Sequence, residues 1–256
     1  MPSRGSAASD SRMMATPTVV FDLDGTLVDS APDLISTLNI IFARTGLPPV
    51  AYDAARNMVG GGARALIMRG LEAEGRALDT VEVDRLVSDF IDHYAAHIAD
   101  RSRPFPGLEP ALDALAVRGC RLAVCTNKLE WLAVRLLDTL TLSDRFVTIC
   151  GGDTFGLQKP HPELLRRTIA RAGGEASATV MVGDSVSDIA IARAAGVPIV
   201  AVDYGYTQTP VTELGADRVI SALSALPDAV FDLLDAGRPA PHGAAINRIS
   251  PYRRHT

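Results

Sequence analysis

The 256-residue sequence contains no apolar run of the roughly 20 residues that a helix needs to cross a bilayer. It also has no excess of positive charge, because it contains 30 acidic and 25 basic residues and its formal net charge is -5 at pH 7. These features argue against a membrane-spanning protein and against bulk electrostatic binding of nucleic acid or anionic lipid. No apolar stretch of the signal-peptide type is found near the first residue, so we expect a cytoplasmic location.

Cysteine is scarce as well. Cys120, Cys125 and Cys150 make an odd number and lack the spacing of metal ligands, so we expect buried free thiols. His93 and His97 are four residues apart in a predicted helix and therefore share one face of it. Because no third ligand lies close to them in sequence, a zinc site there is disfavoured.

Lysine is the rarest charged residue. Lys128 and Lys159 are the only two in the chain, and arginine supplies every other cationic side chain apart from histidine. Each lysine lies in a predicted loop shortly after a strand-like segment. A general drift of composition toward arginine explains why lysine is rare, but it does not explain where the two lysines are placed. Their placement indicates a functional role.

The sequence is rich in short apolar segments that alternate with helical patterns. Strand-like segments lie at 18–24, 121–125, 146–149, 179–182 and 198–202. Helical patterns lie between them at 107–118, 130–140, 162–173 and 186–195. This alternation, which continues over residues 104–236, predicts an α/β fold: a Rossmann-like parallel sheet with helices on both faces.

Residues 31–103 differ from this pattern because they show helical segments and no clear strand. The helical segments are 33–45, 51–56, 63–74 and 82–99. Pro104 marks the return to alternation. We interpret this region as a small α-helical cap domain, inserted after the first strand of a core formed by residues 17–30 and 104–236. Such an insert is expected to cover the carboxyl ends of the strands, where open α/β sheets bind their ligands.

Both ends of the chain are rich in Ser, Ala, Pro and Gly and lack periodicity. We therefore expect residues 1–16 and residues 237–256 to be disordered. The second of these segments is basic, with four arginines and no acid.

Two carboxylates end the first predicted strand. Asp22 and Asp24 are two residues apart, so on an extended segment their side chains point to the same side. Two acids at the end of a buried strand are unfavourable unless a cation or a shared proton compensates their charge. A solvent-facing turn would explain one aspartate more easily than the pair.

Polar residues also follow the later strands. Thr126 comes after the strand at 121–125, Lys159 precedes a helix, and Asp184 and Asp188 lie where another helix begins. A hydroxyl and backbone amides at such a turn suit phosphate, a lysine neutralises its charge, and two acids can hold a hard cation such as Mg2+. Singly, each residue could be a helix cap or a surface charge. Together and in this order, they indicate phosphoryl chemistry.

The chain resembles the haloacid-dehalogenase-type phosphohydrolases in four motifs and in its helical insert. The motifs are Asp22-Leu23-Asp24-Gly25-Thr26-Leu27-Val28-Asp29-Ser30, Thr126, Lys159-Pro160 and Gly183-Asp184-Ser185-x-x-Asp188. Within that superfamily it is most similar to the phosphoglycolate phosphatases. This closer similarity lies in Thr126-Asn127-Lys128, Gly151-Gly152-Asp153, Lys159-Pro160-His161-Pro162 and Tyr204-Gly205-Tyr206. The resemblance covers about residues 18–235.

The resemblance implies a Mg2+-dependent phosphomonoester hydrolase that works through an aspartyl-phosphate intermediate. Asp22 would attack phosphorus, which splits the displacement into two steps. Asp24 would protonate the leaving alkoxide and then take a proton from the hydrolytic water. Mg2+ would be held by the carboxylates of Asp22 and Asp184 and by the backbone carbonyl of Asp24, with Asp188 supporting the site. The phosphoryl group would be bound by Thr126, Asn127 and Lys159.

The resemblance further implies 2-phosphoglycolate as the substrate, which carries a carboxylate in its leaving group. Gly61 and Gly62 lie in a cap turn whose backbone amides can approach a ligand closely. Arg64 is positioned to bind a carboxylate with two hydrogen bonds. The alternative is that Arg64 points to solvent from a flexible loop.

Other activities remain open at this point. The acid at Asp24 disfavours dehalogenation, and the absence of lysine from residues 31–103 excludes the Schiff-base route of related phosphonate hydrolases. Phosphatases for sugar phosphates, nucleotides or pyrophosphate are alternatives, as is a sugar phosphomutase. A non-catalytic phosphate-binding module is disfavoured because both motif aspartates are present. We expect a small phosphate ester as the only partner, with no nucleic acid or membrane, and a monomer or homodimer.

Overall fold

The computed structural model describes residues 15–236. The expected disorder of the basic tail and of almost all of the N-terminal segment therefore lies outside the described residues. The three cysteines all fall within the described range, where they are free and buried as predicted. None of the helices in this range combines the length and the apolar character that a membrane crossing requires.

The described part of the chain contains eight strands and nine α-helices, which alternate from β3 to β7. Its eight strands are β1 (Thr18–Phe21), β2 (Val28–Asp29), β3 (Arg103–Pro104), β4 (Arg121–Cys125), β5 (Thr148–Cys150), β6 (Thr179–Gly183), β7 (Ile199–Val202) and β8 (Arg218–Ile220). Its nine α-helices are α1 (Ala31–Arg44), α2 (Tyr52–Arg56), α3 (Gly62–Ala73), α4 (Thr80–Ala96), α5 (Leu108–Val117), α6 (Glu130–Thr139), α7 (Pro162–Arg171), α8 (Val186–Ala195) and α9 (Leu226–Ala236).

Six of the strands form one sheet in the order β5-β4-β1-β6-β7-β8, and every neighbouring pair in it is parallel. β1 lies near the middle, between β4 and β6. In this register Phe21, the last residue of β1, is level with Val124 and with Val182. The residues that follow these three strands therefore emerge at one edge of the sheet.

Helices cover both faces of this sheet. Val19 and Phe21 of β1 belong to an apolar cluster that includes residues of α5, α6 and α9, whereas Val20 belongs to a second cluster with residues of α7 and α8. Successive strand residues point to opposite faces, so a strand that is covered on both sides must be apolar throughout. The predicted α/β fold, a parallel sheet with helices on both faces, is confirmed.

The segment between β2 and β3 contains α1 to α4. β2 and β3 pair in antiparallel fashion, with Asp29 opposite Arg103, so the chain leaves and re-enters the core at neighbouring points. Helix α4 begins with a capping box, in which Asp79 accepts from the Glu82 amide at 2.8 Å and Glu82 accepts from the Asp79 amide at 3.0 Å. We keep the name cap for residues 31–103, and this division of the chain stays a prediction.

One local expectation is wrong. The first strand was expected to run from 18 to 24, but β1 ends at Phe21. Beyond it the carbonyl of Leu23 accepts the backbone N–H groups of Thr26, Leu27 and Val28, which closes a tight loop. Asp22 and Asp24 consequently do not share an extended strand, so alternation along a strand does not determine their directions.

Candidate active site

The carboxyl edge of the two central strands brings the first acids together. Asp22 follows β1 directly, and its backbone N–H donates to the carbonyl of Val182 in β6 at 2.9 Å. Asp184 follows β6 directly. Since β1 and β6 are neighbouring parallel strands, Asp22 and Asp184 emerge side by side.

Three buried carboxylates form a cluster at this edge. Asp22, Asp184 and Asp188 each place an oxygen within 4.8 Å of the others. Lys159, from the loop before α7, lies among them, with its Nζ 2.7 Å from Asp22 Oδ1 and 2.7 Å from Asp188 Oδ1. One ammonium group thus faces three carboxylates, so the cluster is anionic when all three are ionised.

Burial shifts the pKa values of these groups strongly. Burial, reinforced by the charges of Asp188 and Asp184, raises the pKa of Asp22 to about 8 even though Lys159 opposes the shift. Burial and the neighbouring Asp188 raise the pKa of Asp184 to about 7. For Lys159, burial favours a lower pKa, but the carboxylates of Asp188 and Asp22 outweigh it and raise the pKa. At neutral pH the cluster therefore needs protons or an additional cation.

The oxygens of Asp22 and Asp184 fit a hard cation. Asp22 Oδ1 is buried and forms no hydrogen bond of good geometry among the described residues, but the Lys159 ammonium lies 2.7 Å from it as an ion pair. Asp184 Oδ1 accepts from Thr26 Oγ1 at 2.8 Å, and its Oδ2 accepts from the Tyr206 amide at 2.7 Å. These bonds orient Asp184 and leave lone pairs on both oxygens. An oxygen-only set of donors that includes two carboxylates suits Mg2+.

Asp188 differs from the other two acids because both of its oxygens are already bonded. Oδ2 accepts from the Ser185 amide at 3.0 Å and from Ser185 Oγ at 2.6 Å, and Oδ1 accepts from Lys159 at 2.7 Å. It thereby fixes the start of α8 and the position of Lys159. Its contacts suit the supporting position that we predicted for it.

Two glycines allow the chain to pass close to Asp184. Gly25 has φ +89°, and a Cβ there would lie 2.5 Å from Asp184 Oδ2. At Gly205 a Cβ would lie 2.2 Å from the Cβ of Asp184. Any larger residue at either position would have to displace the carboxylate.

Asp24 has partners of its own. Its Oδ1 accepts from Ser30 Oγ at 2.5 Å, and Lys128 Nζ donates to Oδ1 at 2.8 Å and to Oδ2 at 2.9 Å. Burial favours a lower pKa for Lys128, but Asp24 outweighs it and raises the pKa, so this lysine stays charged. The only two lysines of the chain therefore each contact one of the two motif aspartates.

Thr126 and Asn127 lie on the other side of β1, after β4. Thr126 is buried, its amide donates to the carbonyl of Cys150 at 3.0 Å, and its Oγ1 accepts from the Lys128 amide at 3.3 Å. The side-chain amide of Asn127 donates to the carbonyl of Gly60 at 3.1 Å and accepts from the Lys159 amide at 2.8 Å. Asn127 thus links the cap to the loop that carries Lys159, and its contact with phosphate stays a prediction.

The predicted cap residues line a cavity of about 400 Å³ beside Asp24. Gly61 precedes α3, and Gly62 begins that helix with φ +84°. Arg64 forms an ion pair with Asp84, and about half of each of these two side chains is exposed. The predicted contact of Arg64 with a substrate carboxylate stays a prediction.

The sequence matches a known protein family. A model of the haloacid dehalogenase-like hydrolase family matches residues 19–202, which is more than two thirds of the chain. The chain belongs to this family.

Relatives within this hydrolase family cover nearly the whole described region. A phosphoglycolate phosphatase of Caulobacter vibrioides is 49% identical over 225 residues, covering 88% of this chain and 94% of that protein. A phosphoglycolate phosphatase of Agrobacterium fabrum is 47% identical over 219 residues, covering 86% and 94%. The crystal structure of a predicted phosphoglycolate phosphatase from Haemophilus somnus superposes with a TM-score of 0.79 at 28% identity, covering 85% of this chain and 99% of that chain.

The structure places Asp22, Asp184, Asp188 and Lys159 in one cluster, as their motifs indicate. It also shows contacts of the motif residues that the sequence did not reveal. Ser30 and Tyr206 belong to segments that carry the family resemblance, yet only the fold shows that they bond to Asp24 and Asp184. Lys128 was noted for its placement, without a partner. Tyr94, from α4, lines the cavity and gave no sequence signal.

Proposed function

We propose that the chain is a Mg2+-dependent phosphatase that converts 2-phosphoglycolate and water to glycolate and phosphate, with Asp22 as the nucleophile. One observation carries the proposal. Asp22 Oδ1 is a buried carboxylate oxygen without a hydrogen-bond partner among the described residues, and it lies at the strand edge beside Asp184 and Lys159. The Lys159 ammonium, 2.7 Å from this oxygen, compensates only part of the charge of Asp22, Asp184 and Asp188, so an added cation or a substrate would complete the surroundings of Asp22.

In the first step a carboxylate oxygen of Asp22 forms a bond to phosphorus, and the bond from phosphorus to the ester oxygen breaks. Asp24 takes up a proton when the substrate binds and gives it to the departing alkoxide, so glycolate leaves with a neutral hydroxyl group. Splitting the displacement in this way replaces one difficult step with two easier ones. Ser30 and Lys128 hold Asp24 in one orientation for the proton transfer.

In the second step water attacks phosphorus of the aspartyl-phosphate, and the bond to Asp22 breaks. Asp24, now a carboxylate, takes the proton of that water and returns to its protonated form. Thr126 and Lys159 bind the phosphoryl oxygens in both steps, as a hydroxyl and an ammonium at strand ends suit an anion. Phosphate then leaves the unmodified enzyme.

The proposed ligands of Mg2+ are Asp22, Asp184 and the backbone carbonyl of Asp24, with Asp188 in support. When bound, the ion supplies positive charge that reduces repulsion between the carboxylate and the phosphate and stabilises the charge that develops on the oxygens. The fit of Asp22 and Asp184 to an oxygen-preferring cation supports this assignment.

The choice of 2-phosphoglycolate follows the two relatives described above, which carry that activity in their names and cover most of this chain. The cavity beside Asp24 supports it, because it has room for a small leaving group at the proposed proton donor. A sugar phosphate, a nucleotide or pyrophosphate would make the chain a phosphatase of another specificity. We also propose a cytoplasmic enzyme that acts as a monomer or homodimer.

Steady-state kinetics on a panel of phosphate esters tests the proposal. With Mg2+ present, we expect the highest kcat/KM for 2-phosphoglycolate. Asp22→Asn should lower kcat by at least about a thousandfold, since the nucleophile is removed while the shape is kept. Asp232→Asn, a matched change at an exposed residue of α9, should leave the kinetics unchanged.

The outcomes separate the parts of the proposal. Wild-type turnover by Asp22→Asn would contradict the nucleophile. Faster hydrolysis of hexose phosphates or pyrophosphate than of 2-phosphoglycolate would contradict the substrate and keep the phosphatase. No phosphate release from any ester would contradict the activity as a whole.

A further inference from the structure

The cavity beside Asp24 lies between the cap and the core. Its lining includes Asp24 and Lys128 from the core and the Gly60–Gly62 turn and Tyr94 from the cap, with apolar residues over most of the remainder. The clustered acids are not part of this lining, so the cavity extends from the proton donor away from the nucleophile. If the proposed function holds, this is the space that receives the leaving group.

Tyr94 offers a buried hydroxyl to this cavity. Its side chain is about 1% exposed, and among the residues that the structure describes its hydroxyl has no hydrogen-bond partner of good geometry, although it interacts with Lys128 beside it. A buried polar group without a partner destabilises the fold, which suggests that a ligand provides the partner. Burial raises the pKa of Tyr94 to about 12, so the hydroxyl remains protonated and able to donate at neutral pH.

Lys128 brings a positive charge to the same place. Its Nζ lies 4.7 Å from the centre of the Tyr94 ring and contacts both oxygens of Asp24. An ammonium group has three N–H donors, and those two oxygens account for two of them. A hydroxyl donor and a cation that lie together on the wall of a largely apolar cavity can bind an anion, and Arg64 and Asn127 add further N–H donors to its lining.

We propose that Tyr94 and Lys128 bind the carboxylate of the leaving group and so select phosphate esters that carry a second anion. The inference rests on the proposed function, because it is Asp24 as proton donor that places the leaving group here. In 2-phosphoglycolate the carboxylate is attached to the carbon that bears the leaving oxygen, so it must lie within a few ångströms of Asp24. Lys128 bonds to Asp24 and lies 4.7 Å from the centre of the Tyr94 ring, whereas Arg64, which also lines the cavity, is half exposed and bonded to Asp84.

Two substrates and two variants test the receptor. 2-Phosphoglycolate is compared with 2-hydroxyethyl phosphate, in which a hydroxymethyl group replaces the carboxylate. Tyr94→Phe should lower kcat/KM for 2-phosphoglycolate about tenfold, mainly through KM, because it removes one hydrogen bond to a charged group. The same variant should change kcat/KM for 2-hydroxyethyl phosphate by less than about twofold. Tyr52→Phe, the same substitution at an exposed tyrosine of the cap, should alter neither value.

Thermal unfolding supplies a second readout. Because the hydroxyl forms no hydrogen bond of good geometry within the described residues, Tyr94→Phe without substrate should melt at the wild-type temperature or above it. A melting temperature several degrees lower would show that the hydroxyl has a protein partner and would overturn the receptor. Equal losses on both substrates, or no loss on either, would also overturn it.

The same experiment distinguishes failure of the receptor from failure of the proposed function. A preference for 2-phosphoglycolate that survives in Tyr94→Phe contradicts only the receptor. A wild-type enzyme that hydrolyses both esters equally contradicts both the substrate and the receptor. If no ester is hydrolysed, glycolate serves as the probe. A rise in the melting temperature of the wild type with glycolate that is lost in Tyr94→Phe would support the receptor. No rise in either protein would overturn the receptor.

Discussion

At the scale of single residues, the charge balance of the acid cluster explains why it needs protons or an added cation at neutral pH. Lys159 compensates only part of the charge of Asp22, Asp184 and Asp188, and burial prevents water from compensating the remainder. Thr26 and Tyr206 hold Asp184 through hydrogen bonds that favour the ionised carboxylate. The cluster is thus oriented to bind a metal ion and unfavourable without one.

This balance predicts how Mg2+ stabilises the protein at different pH values. In the unfolded chain an aspartate titrates near 3.9, whereas burial raises the pKa of Asp22 to about 8 and that of Asp184 to about 7. Between these values the metal-free native state holds more protons than the unfolded state, so its stability must fall as the pH rises from about 4 toward 8.

Mg2+ replaces those protons, so the rise in melting temperature that it causes should increase from about pH 5.5 to about pH 8. Differential scanning fluorimetry with Mg2+ and with EDTA across this range measures it. Asp22→Asn, which removes one of the titrating carboxylates, should flatten the increase. A rise in melting temperature that is constant or decreases with pH would contradict the raised pKa values.

The residue scale also shows what could not be predicted from the sequence. Asp22, Asp184 and Lys159 were predictable because each follows or precedes an apolar segment in a recognisable motif. Tyr94 was not, since a tyrosine at a buried position of an amphipathic helix is usually part of the core. Only the tertiary structure shows that this residue lines a cavity and that its hydroxyl forms no hydrogen bond of good geometry among the described residues.

At the scale of secondary-structure elements, the two ends of the cap are tied together by one buried acid. Asp33, in the first turn of α1, accepts from the backbone amides of Arg101 at 3.0 Å and Ser102 at 2.7 Å, and from Ser102 Oγ at 2.7 Å. The carboxylate therefore holds the start of the insert beside the strand on which the chain returns. The pairing of β2 with β3 lies at the same place.

Asp33→Ala should lower the free energy of unfolding by about 3 kcal/mol, because two backbone amides and a buried hydroxyl lose their acceptor. Asp33→Asn keeps one oxygen and should lose about half as much. Asp92→Ala, at an exposed position of α4, is the matched control and should change stability by less than about 0.5 kcal/mol. Urea denaturation measures the free energy of unfolding of the three variants. If Asp33→Ala changed it as little as the control does, Asp33 would not hold the two ends of the cap together.

Most of these elements follow from periodicity, and the differences have local causes. The helix predicted at 186–195 forms over those residues, where Ser185 caps its start and Gly196 ends it. β1 is shorter than predicted because hydrogen bonds to Leu23 O close a loop that apolar patterning does not show. β8 was not predicted, because only Ile220 of its three residues is buried and the segment lacks an apolar run.

At the scale of the whole molecule, the order of the strands produces the site. From β1 the chain passes through the cap to β4 on one side and reaches β6 on the other, so the loops after these strands diverge around Asp22. Open α/β sheets bind ligands where the strand order reverses in this way. The cap is bonded to this edge through Asn127 with Gly60 and through Arg56 with the carbonyl of Tyr204 at 2.8 Å.

The proposed mechanism requires that Asp22 become phosphorylated during turnover. Wild-type protein mixed with Mg2+ and 2-phosphoglycolate can be quenched in acid within the first turnover and reduced with borohydride, which converts an aspartyl-phosphate to homoserine. Peptide mass spectrometry then locates the modified residue. We predict homoserine in place of Asp22. Modification of another carboxylate, or turnover without any modified residue, would contradict the account.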